Sequence, residues 1–383
     1  MTASLSVRPI VEAQDMPRMP LAELRERFGR GEAGVAWSAE HDASAGAPLG
    51  TLGGPQAAAW PHDIAAPPPV NVPALCAIGE AWWFPRFGAL IGADGALYNA
   101  TIGEVRHGSQ DLSAIPGLRD NATRFTPPAE APLLEGGAVF LPWGASFNYG
   151  HFIIDALSSL LALEQAGLLD DLPILAPKLA PWQRDLIAMA LPGREVREVE
   201  APVVRLKRAV FATSMDHFLH HPNGLLADLS ARVLARAPAG RGGPRVYLSR
   251  RGQSMRVMVG EAAFEKALAA RGFMIVRPET MSAGEQVALM RDAQVLVGAS
   301  GAALANAVFL PKGARVVEIQ PQNFTSQWVR AACRQIGVDW RGYVCASPCP
   351  ARAAPLLARL RRGFKFAFRP PLDDLLAFID QAL

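Results

Sequence analysis

Cysteine is scarce in this chain: there are four in 383 residues, Cys76, Cys333, Cys345 and Cys349. Only the last two are close, and no second Cys or His pair stands near them at zinc spacing. A disulfide framework and a zinc module are therefore not expected, and reduced thiols are the default. Long apolar runs are missing too. No stretch reaches the roughly 18 apolar residues of a membrane-spanning helix, and the opening MTASLSVRPIVEAQDMPRMP has no apolar core of a secretion signal. The expectation is a soluble, cytoplasmic protein with at most peripheral membrane contact. A dominant charge is also absent, with 38 Lys and Arg against 35 Asp and Glu. Such balance argues against nucleic acid as the main partner and leaves room for a local anion site.

What is present is apolar: half the residues are hydrophobic, and the length suits two or three domains. Residues 1–70 are rich in Ala, Gly and Pro, with one helix-like piece, LAELRERFG, and read as an irregular arm. From residue 71 short strands alternate with turns such as Ala93-Asp94-Gly95, predicting a small β region. An α/β layer follows to residue 240, through the helix HFIIDALSSLLALEQAG, the strand LPILAP, the helix WQRDLIAMAL and strands in VREVEAPVVRLKRAVFAT. A Gly/Pro-rich joint before residue 241 marks a boundary. Over 241–350 strands and helices alternate (RVYLS, EAAFEKALAARG, FMIVRP, AGEQVALMRDA, QVLVG, AALANAVF, ARVVEI), which predicts a parallel sheet. Ser282 and Glu285 have capping-box spacing. Residues 351–383 end in the amphipathic PLDDLLAFIDQAL, expected to pack back on the body. The fold class is α/β, with two Rossmann-like domains facing a cleft.

Ligands of open parallel sheets sit at the carboxyl ends of strands, so the chemistry is sought there. VLVGASGAALANAVFLPKGARVVEIQ, residues 295–320, runs a strand into a turn of small residues. Such a turn suits close approach of phosphate to backbone N–H groups, or tight packing alone. VYLSRRGQSMR ends another strand in Ser249, Arg250 and Arg251, with Arg256 five residues on. Guanidinium groups there make a diphosphate clamp, or else are solvated surface. In NYGHFIIDALSSLL, His151, Asp155 and Ser158 share one stripe of an otherwise apolar helix, as a general base with its partner or as a structural pair. MDHFLHHPNG holds His217, His220 and His221, read as polar loop lining, and no metal is expected. Glu318, at the end of the strand after the small-residue turn, suits ribose hydroxyls.

These motifs, in this order, resemble glycosyltransferase family 61, described as capsular polysaccharide biosynthesis-like glycosyltransferases. Its members carry a Ser-Arg strand end (here Ser249-Arg250), a second Arg (Arg256) before Asn-Glu (here Gly260-Glu261), and a Glu-Gln helix (Glu285-Gln286). A Gly-x-His-Gly-Ala loop (Gly298 to Ala302) then leads to Asn306, Phe309 and a strand-end Glu, Glu318. Asn148-Tyr149-x-His151 resembles the family's upstream motif. The likeness covers residues 148–320 and departs at Ser300, where the family has His, and at Gly260, where it has Asn. Serine still donates one hydrogen bond but carries no charge, and Gly260 still serves as an N-cap.

The resemblance implies a GT-B-like, inverting glycosyltransferase using a nucleotide-sugar donor and a glycan or lipid-linked glycan acceptor. It places Ser249, Arg250, Arg256, Glu261, Ser300, Gly301, Ala302, Asn306 and Glu318 on the donor, in the C-terminal domain 241–350. His151 and Asp155 become the catalytic pair, with Asn148, Tyr149 and His220 on the acceptor side, in domain 71–240. The sequence has no Asp-x-Asp to hold a cation, so a metal-independent reaction is expected, with arginines bearing the leaving group's charge. No cofactor is expected, because the nucleotide-sugar is a substrate. Two other readings stay open here. Gly298, Gly301 and Glu318 suit an NAD-dependent oxidoreductase, which would leave Arg250 and Arg256 unexplained. Ser300 and Gly260 suit a non-catalytic nucleotide-sugar or glycan-binding protein.

Overall fold

A computed structural model of the chain describes residues 5–37, 47–68, 70–103, 105, 111–120, 122–139, 144–213, 224–240, 242–348 and 366–383. The chain is mixed α/β and divides into two units, Met1–His41 with Asn71–Met215 and Asp42–Val70 with Asp216–Leu383. Among the described residues no helix is long and apolar enough to cross a membrane.

The segment read as one irregular arm, 1–70, is shared between the units. Its first part holds the helix Leu21–Gly29, which buries Leu24 and Phe28 one turn apart, and a strand, β1 (Gly34–Trp37). In the second part Thr51–Gly53 adds an edge strand to the second unit's sheet. Arg330 fastens this segment by donating to the carbonyls of Leu49, Asp63, Ile64 and Ala66 at 2.6–3.1 Å. Glycine- and proline-rich composition concealed strands whose stability comes from distant partners.

In the first unit β1 is joined by β2 (Ala74–Ile78), β3 (Gly137–Val139), β4 (Ile174–Ala176), β5 (Val196–Glu198) and β6 (Ala209–Ala212), in the order β5-β4-β3-β6-β2-β1. The four strands β5, β4, β3 and β6 are mutually parallel, and β2 and β1 add antiparallel. The expected β region forms a second six-stranded sheet that includes Ala81–Phe84, Ala89–Gly92 and Ala96–Tyr98. Its tight turn is held by the Asp94 carboxylate accepting from Ala96 N–H at 3.0 Å.

The second unit carries the predicted alternation. Its strands β7 (Arg245–Leu248), β8 (Met274–Val276), β9 (Val295–Ala299), β10 (Arg315–Pro321) and β11 (Asp339–Cys345) lie in the order β8-β7-β9-β10-β11, all parallel. Numbered within the unit this is 2-1-3-4-5, the order of flavodoxin-like sheets, whose ligands sit where the winding reverses, between the first and third strands. Here that point lies between the carboxyl ends of β7 and β9. The helix Ala283–Arg291 starts with the expected capping box, Ser282 Oγ accepting from Glu285 N–H at 3.2 Å. The helix Leu226–Leu234, read in sequence as the end of the first domain, belongs to the second unit. Its buried Leu226, Leu229 and Val233 give it an apolar face, and its end is tied by Arg291 donating to the Leu234 and Ala237 carbonyls. The C-terminal helix Leu372–Asp380 buries Leu375, Leu376 and Ile379 in the same core as Tyr247, Val297 and Val317.

Candidate active site

At the reversal point the loops after β7 and β9 meet. A methyl group built on Gly301 would collide with the Arg250 guanidinium and lie 3.5 Å from Arg256 Nη2. Two guanidinium groups thus converge over one backbone position, and any side chain there would displace the Arg250 guanidinium. Gly301 caps a 3₁₀ helix, Ala302–Phe309, whose Leu304 N–H closes onto the Gly301 carbonyl at 3.0 Å. The N–H groups ahead of Leu304 form the open first turn, the end of a helix that attracts anions.

The two arginines are poorly compensated. Arg250 donates from Nη2 to the Met255 carbonyl at 3.0 Å, and Arg256 lies over the Phe324 ring, 4.5 Å from its centroid. The Nε atoms of both are buried without a hydrogen-bond partner. Burial lowers the Arg250 pKa, against the pull of Glu261. Burial, with the like charge of Arg250, lowers Arg256 to about 10. Arg256 also has φ +52°, a left-handed backbone conformation uncommon outside glycine. Unsatisfied donors, like charges and an unusual backbone in one place are the marks of a site awaiting an anion.

Beneath them Glu318 is fully buried. The strand β10 runs on to Pro321, so Glu318 lies inside it and not at its end, as the sequence suggested. Trp340 Nε1 donates to Glu318 Oε2 at 2.9 Å, while Oε1 has no hydrogen-bond partner. Burial raises its pKa to about 7, opposed by the Trp340 donor, by neighbouring Gln320 and Ser300 and by the Arg256 charge. An unfolded glutamate titrates near about 4.3, so stability tied to the proton is complete below that value and is lost as pH rises through about 7. Glu318→Gln keeps an acceptor for Trp340 and cannot ionise. Its melting temperature is expected to pull ahead of wild type between pH 5 and pH 8. A difference that stays constant over that range would contradict a titrating Glu318.

The remaining donor-side candidates are held by the fold around this point. Ser249 donates to Glu265 Oε1 at 2.6 Å, and Arg251 pairs with Glu265 Oε2 at 2.8 Å, away from Gly301. Glu261 accepts from Tyr247 Oη at 2.7 Å and from Arg250 N–H at 2.6 Å, fixing the Arg250 backbone. Gly260 is the N-cap of the Glu261–Ala269 helix with φ +88°, a conformation glycine takes freely, which accounts for its place there. Ser300 is buried, its N–H bonded to the Ile319 carbonyl at 2.8 Å, and lies beneath the turn beside Glu318. Asn306 donates to Gln286 Oε1 at 2.9 Å and to the Ala303 carbonyl at 3.0 Å, bracing the 3₁₀ helix from below. Ala302 opens that helix.

In the first unit the expected helix around His151 has three parts: Tyr149–His151 and Ser158–Gln165 are α-helical, and Phe152–Leu157 between them is a π-helix. Inserted π turns recur at functional sites. Asn148 caps the start, its Oδ1 accepting from Gly150 and His151 N–H at 2.9 and 3.2 Å. Tyr149 and Phe152 pack on Trp182, with ring centroids 5.5 and 4.9 Å apart. His151 Nδ1 lies 2.6 Å from Asp155 Oδ2, the imidazole side chain 12% exposed and the carboxylate fully buried. Ser158 Oγ donates to the Ile154 carbonyl, so the third residue of the stripe serves the backbone. His217, His220 and His221 lie outside the described residues, among which no group of three or more His, Cys, Asp or Glu could hold a metal.

A cleft of about 610 Å³ in the same unit is lined by Arg86, Phe87, Phe147, Lys178, Glu200 and Pro202, among others. Lys178 and Glu200 follow β4 and β5, so the cleft lies at carboxyl ends of parallel strands, and Phe147 directly precedes Asn148. Sequence reasoning missed Met255, Phe324, Tyr247 and Trp340. The strand-end rule applied to β10 would have found Phe324; the other three act through contacts no spacing reveals.

No curated protein matches this chain. The family model described as Glycosyltransferase 61 matches residues 149–317, from the helix of His151 to the strand of Glu318. The matched stretch, just under half of the chain, contains both the His151–Asp155 pair and the arginines over Gly301, and over it the chain is similar to glycosyltransferase family 61, which supports a glycosyltransferase.

Proposed function

We propose that the enzyme is an inverting, metal-independent glycosyltransferase that moves a sugar from a nucleotide-sugar to a glycan or lipid-linked glycan. The observation that carries this reading is the convergence of Arg250 and Arg256 on Gly301 at the reversal point of a parallel sheet. As the bond from the anomeric carbon to the diphosphate breaks, charge grows on the leaving oxygen, and fixed guanidinium and N–H donors stabilise it there. His151 takes the proton from the acceptor hydroxyl as that oxygen attacks the opposite face, which inverts the configuration. Asp155 holds the ring through Nδ1, leaving Nε2 as the basic atom, and stabilises the imidazolium that forms. The second unit is the donor side and the first supplies the base and the acceptor cleft; the GT-B-like arrangement belongs to this reading.

The test is incubation with a panel of nucleotide-sugars and oligosaccharide acceptors, following nucleoside diphosphate release and the anomeric configuration of the product by NMR. Opposite configurations in donor and product are expected. Retention would overturn the mechanism. The same assay in excess EDTA is expected to keep its rate, because arginines carry the charge; complete loss, restored by Mn²⁺ or Mg²⁺, would show that a metal is needed.

A further inference from the structure

Among the described residues, Met255 and Phe324 are two of the few large apolar residues that are partly exposed, at 40% and 37%. Both touch the arginine pair, Met255 through its main-chain carbonyl and Phe324 through its ring. The Met255 carbonyl accepts from Arg250 Nη2 at 3.0 Å, and the Phe324 ring lies 4.5 Å from the Arg256 guanidinium carbon. Phe324 stands just beyond the carboxyl end of β10, next to β9 in the sheet, and Phe366 meets its ring edge-on with centroids 5.0 Å apart. A phosphate site by itself needs no apolar flanks, which cost exposure to water when the site is empty.

We propose that Phe324 is the stacking platform for the nucleobase of the donor. The inference rests on the reading of Arg250 and Arg256 as the diphosphate clamp. It adds the base-binding subsite and a residue that no motif contains. Arg256 is already packed on this ring, so the guanidinium that meets the phosphates and the ring that meets the base are adjoining parts of one surface. A planar base has a π-face for the phenyl ring whatever its edge carries, so Phe324 favours nucleoside diphosphates over bare diphosphate and leaves the choice of base to other contacts. An isoprenoid diphosphate also combines a diphosphate with an apolar group, and the test separates the two.

The experiment is titration calorimetry of the full chain with UDP, GDP, inorganic pyrophosphate and farnesyl diphosphate. At least one nucleoside diphosphate is expected to bind more tightly than pyrophosphate and than farnesyl diphosphate. Phe324→Ala is expected to weaken that nucleotide by roughly 5- to 150-fold, the range for loss of one base–aromatic stack. Pyrophosphate affinity is expected to fall by less than that of the nucleotide, because Arg256 loses its contact with the ring while both guanidinium groups remain, and Phe324→Tyr is expected to restore the nucleotide. If Phe324→Ala leaves the nucleotide unchanged, or weakens pyrophosphate equally, or if farnesyl diphosphate binds best, the platform is overturned while the clamp stands. If pyrophosphate does not bind wild type at all, the clamp fails and the platform falls with it.

Discussion

His151→Ala is expected to lower the transfer rate by about 10²- to 10⁴-fold, the usual cost of removing a positioned general base. Nucleoside diphosphate affinity is expected to hold, because His151 belongs to the first unit and the arginines over Gly301 to the second. Asp155→Asn should lose most of the same rate, since an amide can hold the ring in the wrong tautomer and cannot stabilise the imidazolium. The buried pair also has a structural side: Asp155 is fully enclosed in a π-helical turn. Steady-state kinetics with a melting curve therefore separates the roles. A His151→Ala protein that melts normally and turns over at a near-normal rate would remove the base from this position, and one that loses rate and nucleotide binding together would place His151 on the donor side.

Arg250→Ala is expected to weaken nucleoside diphosphate binding by about 1.5–3 kcal/mol, the scale of a charge-assisted hydrogen bond. Its melting temperature is expected to stay level. Arg250 is desolvated, has a buried Nε with no acceptor and depresses the pKa of its neighbour Arg256, so its removal relieves repulsion as it loses one bond to the Met255 carbonyl. Structural arginines behave oppositely: Arg330, which holds four backbone carbonyls, should destabilise the fold when truncated. Calorimetric titration beside thermal denaturation checks both halves. Unchanged affinity with a lowered melting point would turn Arg250 into a loop brace.

The parts of this protein that were legible in its sequence are those whose signals are local. Strand and helix alternation in the second unit follows from short β-branched runs punctuated by Gly and Pro, and Ser282 announced its helix. The strand order was not legible, because which parallel strands pair is decided by packing after the crossovers form. Thr51–Gly53 was hidden for a related reason: three residues in a Gly/Pro-rich run become a strand only because Arg341–Tyr343 pair with them. The helix around His151 was visible from its apolar sides, but its π-helical centre was not, since that choice depends on side-chain packing and the Ser158 bond to the Ile154 carbonyl.

In the site, Arg250, Arg256 and Gly301 were legible as strand-end cations and a bare turn. Ser249 and Asn306 were legible as polar motif residues, while their partners Glu265 and Gln286 come from neighbouring helices. Glu318 was found as a residue, yet its complete burial beneath Arg256 is a property of the assembled sheet.

The central claim is that the reversal point between β7 and β9 receives the donor's diphosphate, and a crystal structure of the full chain with UDP or GDP bound tests it most directly. The account predicts phosphate oxygens over Gly301, within hydrogen-bond distance of the Arg250 and Arg256 guanidinium groups and of the first-turn N–H groups after Gly301. A nucleotide bound elsewhere, with no phosphate oxygen near the Arg250 and Arg256 guanidinium groups over Gly301, would contradict it.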